Sequence, residues 1–311
     1  MESMSANTRC GFVAVLGAPN AGKSTLVNAL VGQKVTIVTQ KVQTTRIPVR
    51  GIAMRGNVQI VFVDTPGIFA PKRRLDRAMV KAAWGGAADA DAILVIVDAP
   101  ELSAHPGGLA GGDTERIVEG LKQTAKKAAL LLNKIDGMRR DTLLPLADRL
   151  NQTGIFERIF MISALKGDGL NELLDYCASL MPEGPQLYPE DQVADIPSRL
   201  LAAEITREKL YLRLHDELPY ASTVSTESWK EQNDGSVRID QTIFVEREGQ
   251  KGIVIGKGGQ TIKAIGEAAR HEMEQLFGRR VHLFLHSKVA ERWGETPAHY
   301  HEWGLEFPKD Q

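Results

Sequence analysis

The sequence predicts an α/β chain in two parts: a mostly parallel sheet with helices on both faces, followed by a smaller α+β domain. Three observations carry this expectation. Short apolar runs rich in β-branched residues recur between Gly11 and Ser163 and alternate with helical stretches, as buried strands joined by crossovers do. The first of them, Phe12–Leu16, runs into the glycine-bearing stretch Gly17–Ser24 and then into the helix-like Thr25–Leu30. Beyond Pro197 the order changes to helix, strand, strand, helix, helix, strand, with a glycine-rich turn between the paired helices.

Taken in order, Gly17-Ala18-Pro19-Asn20-Ala21-Gly22-Lys23-Ser24 has the G-x-x-x-x-G-K-[ST] spacing of a phosphate-binding loop between a strand and a helix. Gly17 and Gly22 let the backbone curl so that its N–H groups point at anionic oxygens, and the helix opening at Thr25 adds its own unpaired N–H groups and dipole. Lys23 reaches the terminal phosphates and the Ser24 hydroxyl is placed to ligate Mg²⁺, so the loop is expected to bind a nucleoside triphosphate. Gln33 to Ile47 is polar, rich in Thr and Lys and without helical period; it reads as a mobile loop.

Strands follow at Pro48–Met54 and Val58–Val63, joined by Arg55-Gly56-Asn57. The second ends in Asp64-Thr65-Pro66-Gly67, where Asp64 suits indirect contact with Mg²⁺ and the Gly67 N–H a γ-phosphate. Ala92–Asp98 is a further buried strand, and the Gly-rich stretch from Pro100 to Asp113 reads as a surface loop without assigned function. Ala128–Leu132 leads into Asn133-Lys134-Ile135-Asp136. Asp136 can accept from the N1 and exocyclic amino groups of guanine, for which adenine has no matching donor pair; Lys134 can lie along the base and Asn133 can tie this segment to the phosphate loop. Arg158–Ile162 ends in Ser163-Ala164-Leu165-Lys166, whose N–H groups can meet the guanine carbonyl. All these motifs fall at carboxyl ends of strands, where open α/β sheets bind ligands.

In the second part, Ser198 is expected to cap the amphipathic helix from Leu200 to Leu210. Ala221–Glu231 and Ser236–Glu246 alternate as strands around the turn Gln232–Gly235, and Gln260–Phe277 is a long helix before a last strand, Val281–Leu285. The turn Gly256-Lys257-Gly258-Gly259 lacks the Lys-Ser/Thr pair of a second phosphate loop. Ile253, Val254 and Ile255 precede it as an apolar floor, and Lys251, Lys257, Lys263 and Arg270 lie on or near it.

Composition bounds these readings. A hydrophobic content of 43% and a charged content of 25% belong to a globular protein with room for two cores in 311 residues. No apolar run is long enough to span a bilayer and the N-terminus has no signal-peptide pattern, so the expected setting is the cytoplasm. Cys10 and Cys177 are far apart and read as incidental thiols; five histidines between His271 and His301 have no cysteine beside them and are given no metal. Residues 183–311 hold 16 Lys/Arg against 22 Asp/Glu, so nucleic-acid binding there must rest on a local patch; Arg247–Arg292 supplies one, nine basic residues against five acidic.

The ordered set of guanine-nucleotide motifs resembles the translation-factor-related GTPases, and the second part resembles a KH domain of the prokaryotic type. Together they resemble the bacterial KH-domain GTPases of the TrmE-Era-like family over about residues 8–290. The resemblance implies a P-loop GTPase domain at 8–182, a linker at 183–197, a KH RNA-binding domain at 198–290 and a tail at 291–311 to which nothing maps. It implies GTP/GDP and Mg²⁺ as ligands, with Thr45 joining Ser24 on the metal; adjacent Thr44 is equally able to ligate, and Thr45 is favoured because it precedes Arg46. Lys23, Asn20, Thr45 and Gly67 are the residues expected at the reacting phosphate. Ile68 stands where Ras-like proteins carry a water-orienting glutamine, and Asn20 resembles the asparagine that ligates K⁺ in some GTPases with this substitution.

In KH domains the G-x-x-G turn lets a single-stranded RNA backbone approach closely, which points to Ile253, Ile255, Gly256, Lys257, Gly258, Gly259 and Lys263. The implied partners are the 3′ end of the small-subunit ribosomal RNA and the 30S subunit or its precursors; a monomer and peripheral attachment to the inner membrane are further expectations. Rival readings are a nucleotide kinase, disfavoured by Asn133–Asp136, and a nucleotide-binding RNA scaffold with negligible turnover, which Ile68 keeps open.

Overall fold

Strand register shows why the first half is built around its first apolar run. In the computed structural model, which describes residues 8–104, 112–124 and 126–309, that run is the middle of strand β1 (Arg9–Gly17), with Val13 to Leu16 fully buried. There follow α1 (Lys23–Val31), β2 (Val49–Arg55), β3 (Val58–Asp64), α2 (Arg74–Asp89), β4 (Ala92–Asp98) and α3 (Ala99–Ala104). Then come α4 (Asp113–Thr124), β5 (Ala128–Asn133), α5 (Leu143–Asn151), β6 (Phe156–Met161), α6 (Leu170–Leu180) and β7 (Ala194–Asp195). The sheet order is β6-β5-β4-β1-β3-β2-β7. Strand β1 pairs parallel with both β3 and β4, and β4, β5 and β6 continue in parallel; β2 and β7 are antiparallel to their neighbours.

Alternation along β1 divides the core. Val13 and Val15 pack with Leu26, Val27, Leu173 and Cys177 of α1 and α6, whereas Ala14 and Leu16 pack with Ala83, Ile117 and Leu146 of α2, α4 and α5. A central strand covered on both faces has no polar positions to spare, hence its continuous apolar run. Because β1, β3, β4, β5 and β6 run the same way, the loops after β1, β3, β5 and β6 leave from one edge of the sheet.

A second compact unit comprises Ile37–Thr44 and Ile196–Trp303. Its elements are α7 (Ser198–Arg213), β8 (Ser222–Glu231), β9 (Val237–Val245), α8 (Glu248–Ile255), α9 (Gln260–Phe277), β10 (Val281–Val289) and α10 (Pro297–Glu302). Strand β9 lies between antiparallel β8 and parallel β10, and its inward residues Val237, Ile239, Ile243 and Val245 meet Ile205, Leu210, Ile265 and Met273 of α7 and α9.

Several expectations change. The stretch Pro100–Asp113 begins as helix α3, and its residues 105–111 lie outside the described ones, as do 1–7 of the N-terminus. Ser198 is the first helical residue rather than the cap: Pro197, with φ −58° and ψ 133°, takes the entry position, and no side chain bonds there. Gln33–Ile47 is irregular but held, since Asn28 Oδ1 accepts the N–H groups of Val35 and Thr36 and both Val35 and Ile37 are buried. The stretch expected as a linker at 183–197 adds β7 to the large sheet, and Gln59 Oε1 accepts the N–H groups of Leu187 and Tyr188. Of the tail, Trp293, Tyr300 and Trp303 are buried in the second unit, and the Trp293 indole donates to the Ala221 carbonyl at 3.0 Å. Residues 304–309 belong to the first unit, where Arg74 lies 4.8 Å over the Phe307 ring and Lys81 pairs with Glu306. Among the described residues no helix is long and apolar enough to cross a membrane.

Candidate functional site

The phosphate loop leaves β1 at Gly17 and re-enters helix at Lys23. Its closing residue Gly22 has φ +102°, and a Cβ there would collide with the Asn133 amide, so both conformation and space require glycine. Asn20 is also left-handed, at φ 62°, and exposed. Ala18, Pro19, Ala21 and Thr25 complete the wall of the loop. The Lys23 ammonium, buried, donates to the carbonyls of Gly17 (3.1 Å) and Ala18 (2.8 Å). Burial pushes it down to about 8, against the opposing pull of the Asp64 charge.

Asp64 ends β3 with no solvent exposure. Its Oδ2 accepts from Ser24 (2.7 Å), Thr36 (2.9 Å) and Thr45 (3.4 Å), while Ser24 and Thr45 share a hydrogen bond of 2.8 Å. Burial raises its pKa, and the hydroxyl of Ser24, the charge of Lys23 and the other two hydroxyls counter that rise. Among the described residues its Oδ1 has no hydrogen-bond partner despite full burial. Oxygen-only donors beside an orphaned carboxylate oxygen suit a hard divalent cation of the Mg²⁺ type. Thr44 is turned elsewhere, with its hydroxyl on Thr39 Oγ1 (2.5 Å) and the Lys41 carbonyl (2.7 Å), so of the two adjacent threonines only Thr45 joins this cluster. Thr36 was not anticipated: it is one of four threonines in residues 36–45, and spacing does not single it out.

The Thr65 hydroxyl donates to the Val15 carbonyl at 2.7 Å, fixing the segment Asp64-Thr65-Pro66-Gly67, all of it buried, against β1. Ile68 is 2% exposed, its N–H donating to the Gly17 carbonyl at 3.1 Å and its side chain in the core with Ala14 and Leu16.

At the other end of the cleft Asn133 acts as a strut. Its Nδ2 donates to the Ala21 carbonyl at 2.8 Å and its Oδ1 accepts the Ala164 N–H at 3.0 Å. Lys134, at φ 66°, pairs with Asp98, a partner the sequence did not reveal. The exposed Asp136 carboxylate accepts the Ser163 hydroxyl at 2.6 Å, which is the main reason its pKa falls below the ordinary value. The N–H groups after β6 are mostly spoken for: Ser163 donates to the Asp168 carbonyl, Ala164 to Asn133 and Lys166 to Ser163 Oγ. Only the N–H of the exposed Leu165 is without a partner among the described residues of this turn, which narrows the expected guanine-carbonyl contact to Leu165.

In the second unit the G-x-x-G turn joins α8 to α9. Gly258 (φ +60°) and Gly259 (φ +77°) are left-handed, and a Cβ on either would meet nothing within 4 Å, so the turn presents bare backbone to open space. Lys257 and Lys263 are exposed. Ile253 is 59% exposed and Ile255 half-buried, but Val254 points into the core; a helix turns successive side chains apart, so the three residues do not form one floor.

Residues 12–134 match the family described as 50S ribosome-binding GTPase, and residues 217–294 match the KH domain family. The chain is 59% identical to GTPase Era of Maricaulis maris over 306 residues, 96% of this chain and 98% of that protein. It is 60% identical to GTPase Era of Brucella suis over 307 residues, 99% and 96% of the two chains. Among solved structures it is similar to Era in complex with MgGDPNP and nucleotides 1506–1542 of 16S ribosomal RNA, with a TM-score of 0.88, 39% identity and 96% and 99% coverage. A variant of Aquifex aeolicus Era bound to GDP and AlF4⁻ matches equally, at a TM-score of 0.88.

The strut makes one prediction. Asn133→Ala leaves the Ala21 carbonyl and the Ala164 N–H unpaired in a buried setting, at about 1–3 kcal/mol each. Urea unfolding should show that loss, and calorimetric titration should show weakened nucleotide binding even though Asn133 need not touch the nucleotide.

Proposed function

The chain belongs to the Era family of GTPases and hydrolyses GTP to GDP and phosphate; from that premise we propose that it is a switch binding the 3′ end of small-subunit ribosomal RNA and assisting assembly of the 30S subunit. What most supports the reading is the pairing in one chain of the Asp64 hydroxyl cluster with an open G-x-x-G turn, together with a similar Era co-crystallised with a 16S ribosomal RNA segment. We assign RNA contact to Ile253, Ile255, Gly256, Lys257, Gly258, Gly259 and Lys263. Peripheral contact with the inner membrane and a monomeric state are kept as part of the proposal.

In the reaction, Gly17–Thr25 would cradle the phosphates with backbone N–H groups, and Lys23 would exchange its two carbonyl partners for phosphate oxygens. Ser24 and Thr45 would hold Mg²⁺ through their hydroxyls, with Asp64 orienting both. The metal, when bound, supplies positive charge to the β- and γ-phosphate oxygens. Gly67 would offer its N–H to the γ-phosphate, and Asn133, Lys134 and Asp136 with Ser163, Ala164 and Leu165 would form the guanine pocket. Ile68 has no polar group with which to orient water, so intrinsic turnover is slow, and Asn20 is assigned to a K⁺ that supplies part of the missing charge.

Three outcomes test this. Asp136→Asn replaces an acceptor with a donor toward guanine, so GTP affinity should fall about 10- to 150-fold, the worth of a charged hydrogen bond of about 1.5–3 kcal/mol, and xanthosine triphosphate should compete; unchanged GTP affinity would remove the guanine assignment. Gly258→Asp puts a side chain and a negative charge on the open turn without a steric clash. Filter binding to a 16S 3′-end oligonucleotide should weaken while GTP affinity holds, and a parallel loss of both would sink the separation of sites. Exchanging Na⁺ for K⁺ at constant ionic strength should raise turnover, and Asn20→Ala should abolish the difference while Ile68→Ala has much less effect. Equal rates in the two salts would return Asn20 to an ordinary loop residue.

A further inference from the structure

Strands β1, β3, β4, β5 and β6 run the same way, and β4 is the one among them whose carboxyl end carries none of the residues assigned to the nucleotide. It lies between β1, which leads into the phosphate loop, and β5, which leads into residues 133–136. Its last residue is Asp98, which parallel pairing sets opposite Asn133. The two carboxylate oxygens of Asp98 have separate partners. Oδ1 accepts the Glu101 N–H at 3.1 Å in the first turn of α3, and Oδ2 receives the Lys134 ammonium.

Cohesion alone does not account for the second contact. The Lys134 side chain is 42% exposed and that of Asp98 16%, and a pair this wet returns little stability. It is made, besides, by a lysine whose φ of 66° lies in the left-handed region, where a residue with a Cβ is disfavoured. The aspartate end is fixed. Ala99 and Leu102 of α3 are buried, Ile135 and Met138 pack against the same core, and the Arg149 guanidinium donates to the Leu102 carbonyl at 3.1 Å. A flexible four-carbon stem is therefore tied at its tip to a rigid point. The Ser163 hydroxyl is the main cause of the low Asp136 pKa, but the Lys134 charge adds to it, so Asp136 is a second carboxylate within the ammonium's field. An ammonium settled there would occupy the group that is to read guanine.

We propose that Asp98 is a positioning residue for the guanine base. It holds the Lys134 ammonium away from Asp136, so that the lysine stem lies ready along the base and Asp136 keeps its carboxylate for the N1 and exocyclic amino groups. A long side chain ordered only on binding loses its rotamer freedom at that moment, and fixing it in advance removes the loss. The inference rests on the reading that Lys134 lies along the base and Asp136 accepts from it. It adds a residue at the end of β4 that acts through Lys134 rather than on the nucleotide itself.

The test separates the two oxygens. Serine and asparagine both cap helices well, so Asp98→Ser keeps an acceptor for the start of α3 while removing the charge that holds Lys134. On the full chain in excess Mg²⁺, GDP and GDPNP should each bind about 3- to 10-fold more weakly, the range for losing the pre-ordering of one long side chain, with the thermal midpoint close to that of the parent. The KM for GTP should rise by the same factor at unchanged kcat, because a base contact is equally strong in ground and transition states. Lys134→Met should weaken binding at least as much, and adding Asp98→Ser to it should cost nothing further. A loss confined to GDPNP, a fall in kcat in place of a rise in KM, additive losses in the cycle, or a thermal midpoint lowered in step with affinity overturns the proposal. If Lys134→Met leaves affinity unchanged, the base-pocket reading of Lys134 falls and this inference with it; if Lys134→Met acts and Asp98→Ser does not, only this inference falls. Should Asp98→Ser fail to fold, as judged by thermal unfolding, Asp98→Asn takes its place with the same expected and overturning outcomes.

Discussion

The first unit depends on satisfying one buried carboxylate. Asp64 sits at the carboxyl end of β3 with no exposure, where an ionised group costs several kcal/mol unless hydrogen bonds replace water. Three hydroxyls do so, and each comes from a different segment: Ser24 from the first turn of α1, Thr36 from the chain that follows that helix, Thr45 from the chain entering β2. One side chain thereby sets where the phosphate loop ends, where the polar stretch returns and how it approaches the sheet. The Lys23 ammonium is in the same field but bonds carbonyls, so the two charges attract without forming an ion pair among the described contacts. That leaves the ammonium held by neutral acceptors that a phosphate can outbid, and Asp64 with one oxygen that has no hydrogen-bond partner among the described residues.

How far this was legible depends on whether a position is fixed by local backbone or by distant contact. Gly22 and the strand–loop–helix around it could be read because the φ of +102° and the N–H cradle follow from a few consecutive residues. The two layers of helices followed from apolar strands such as Ala92–Asp98, which leave no face for water. Thr36 could not be read, since its selection depends on Asn28 turning the Val35–Thr36 backbone toward Asp64. Asp98 as the partner of Lys134 comes from the parallel pairing of β4 with β5, which puts Asp98 opposite Asn133. Assigning 37–44 to the second unit needed Arg207 and Glu208, far along the chain and inside what reads as an ordinary amphipathic helix.

The two glycine motifs use one residue type for different reasons. At Gly22 the surroundings are crowded, with the Asn133 amide where a Cβ would be, and the backbone is left-handed as well. Any larger residue displaces the Asn133 amide that ties this loop to the turn after β6. At Gly258 and Gly259 the surroundings are empty and only the left-handed backbone calls for glycine. The first is a packing constraint inside a closed site; the second leaves bare backbone at a helix-joining turn, where on the reading proposed above another backbone would lie. Substitutions at the two therefore differ in kind: one disturbs the fold of the nucleotide site, while the other changes what can approach a surface.

Ile68 completes the account of rate. Its backbone takes part in the site, donating to the Gly17 carbonyl, while its side chain is committed to the core among Ala14, Leu16 and Ala83. Withdrawing an aliphatic side chain that is 2% exposed would open a cavity, and a polar replacement there would lose its burial without a partner, so the packing itself opposes a water-orienting group at this position. Phosphoryl transfer in such a site rests on charge and positioning, and a missing charge of the arginine-finger type corresponds to about 10³–10⁵ in kcat. On the reading proposed above, the chain holds its triphosphate state until that charge is supplied from outside the fold. On the same reading, the core packing that gives the sheet its stability would also set the lifetime of the signal.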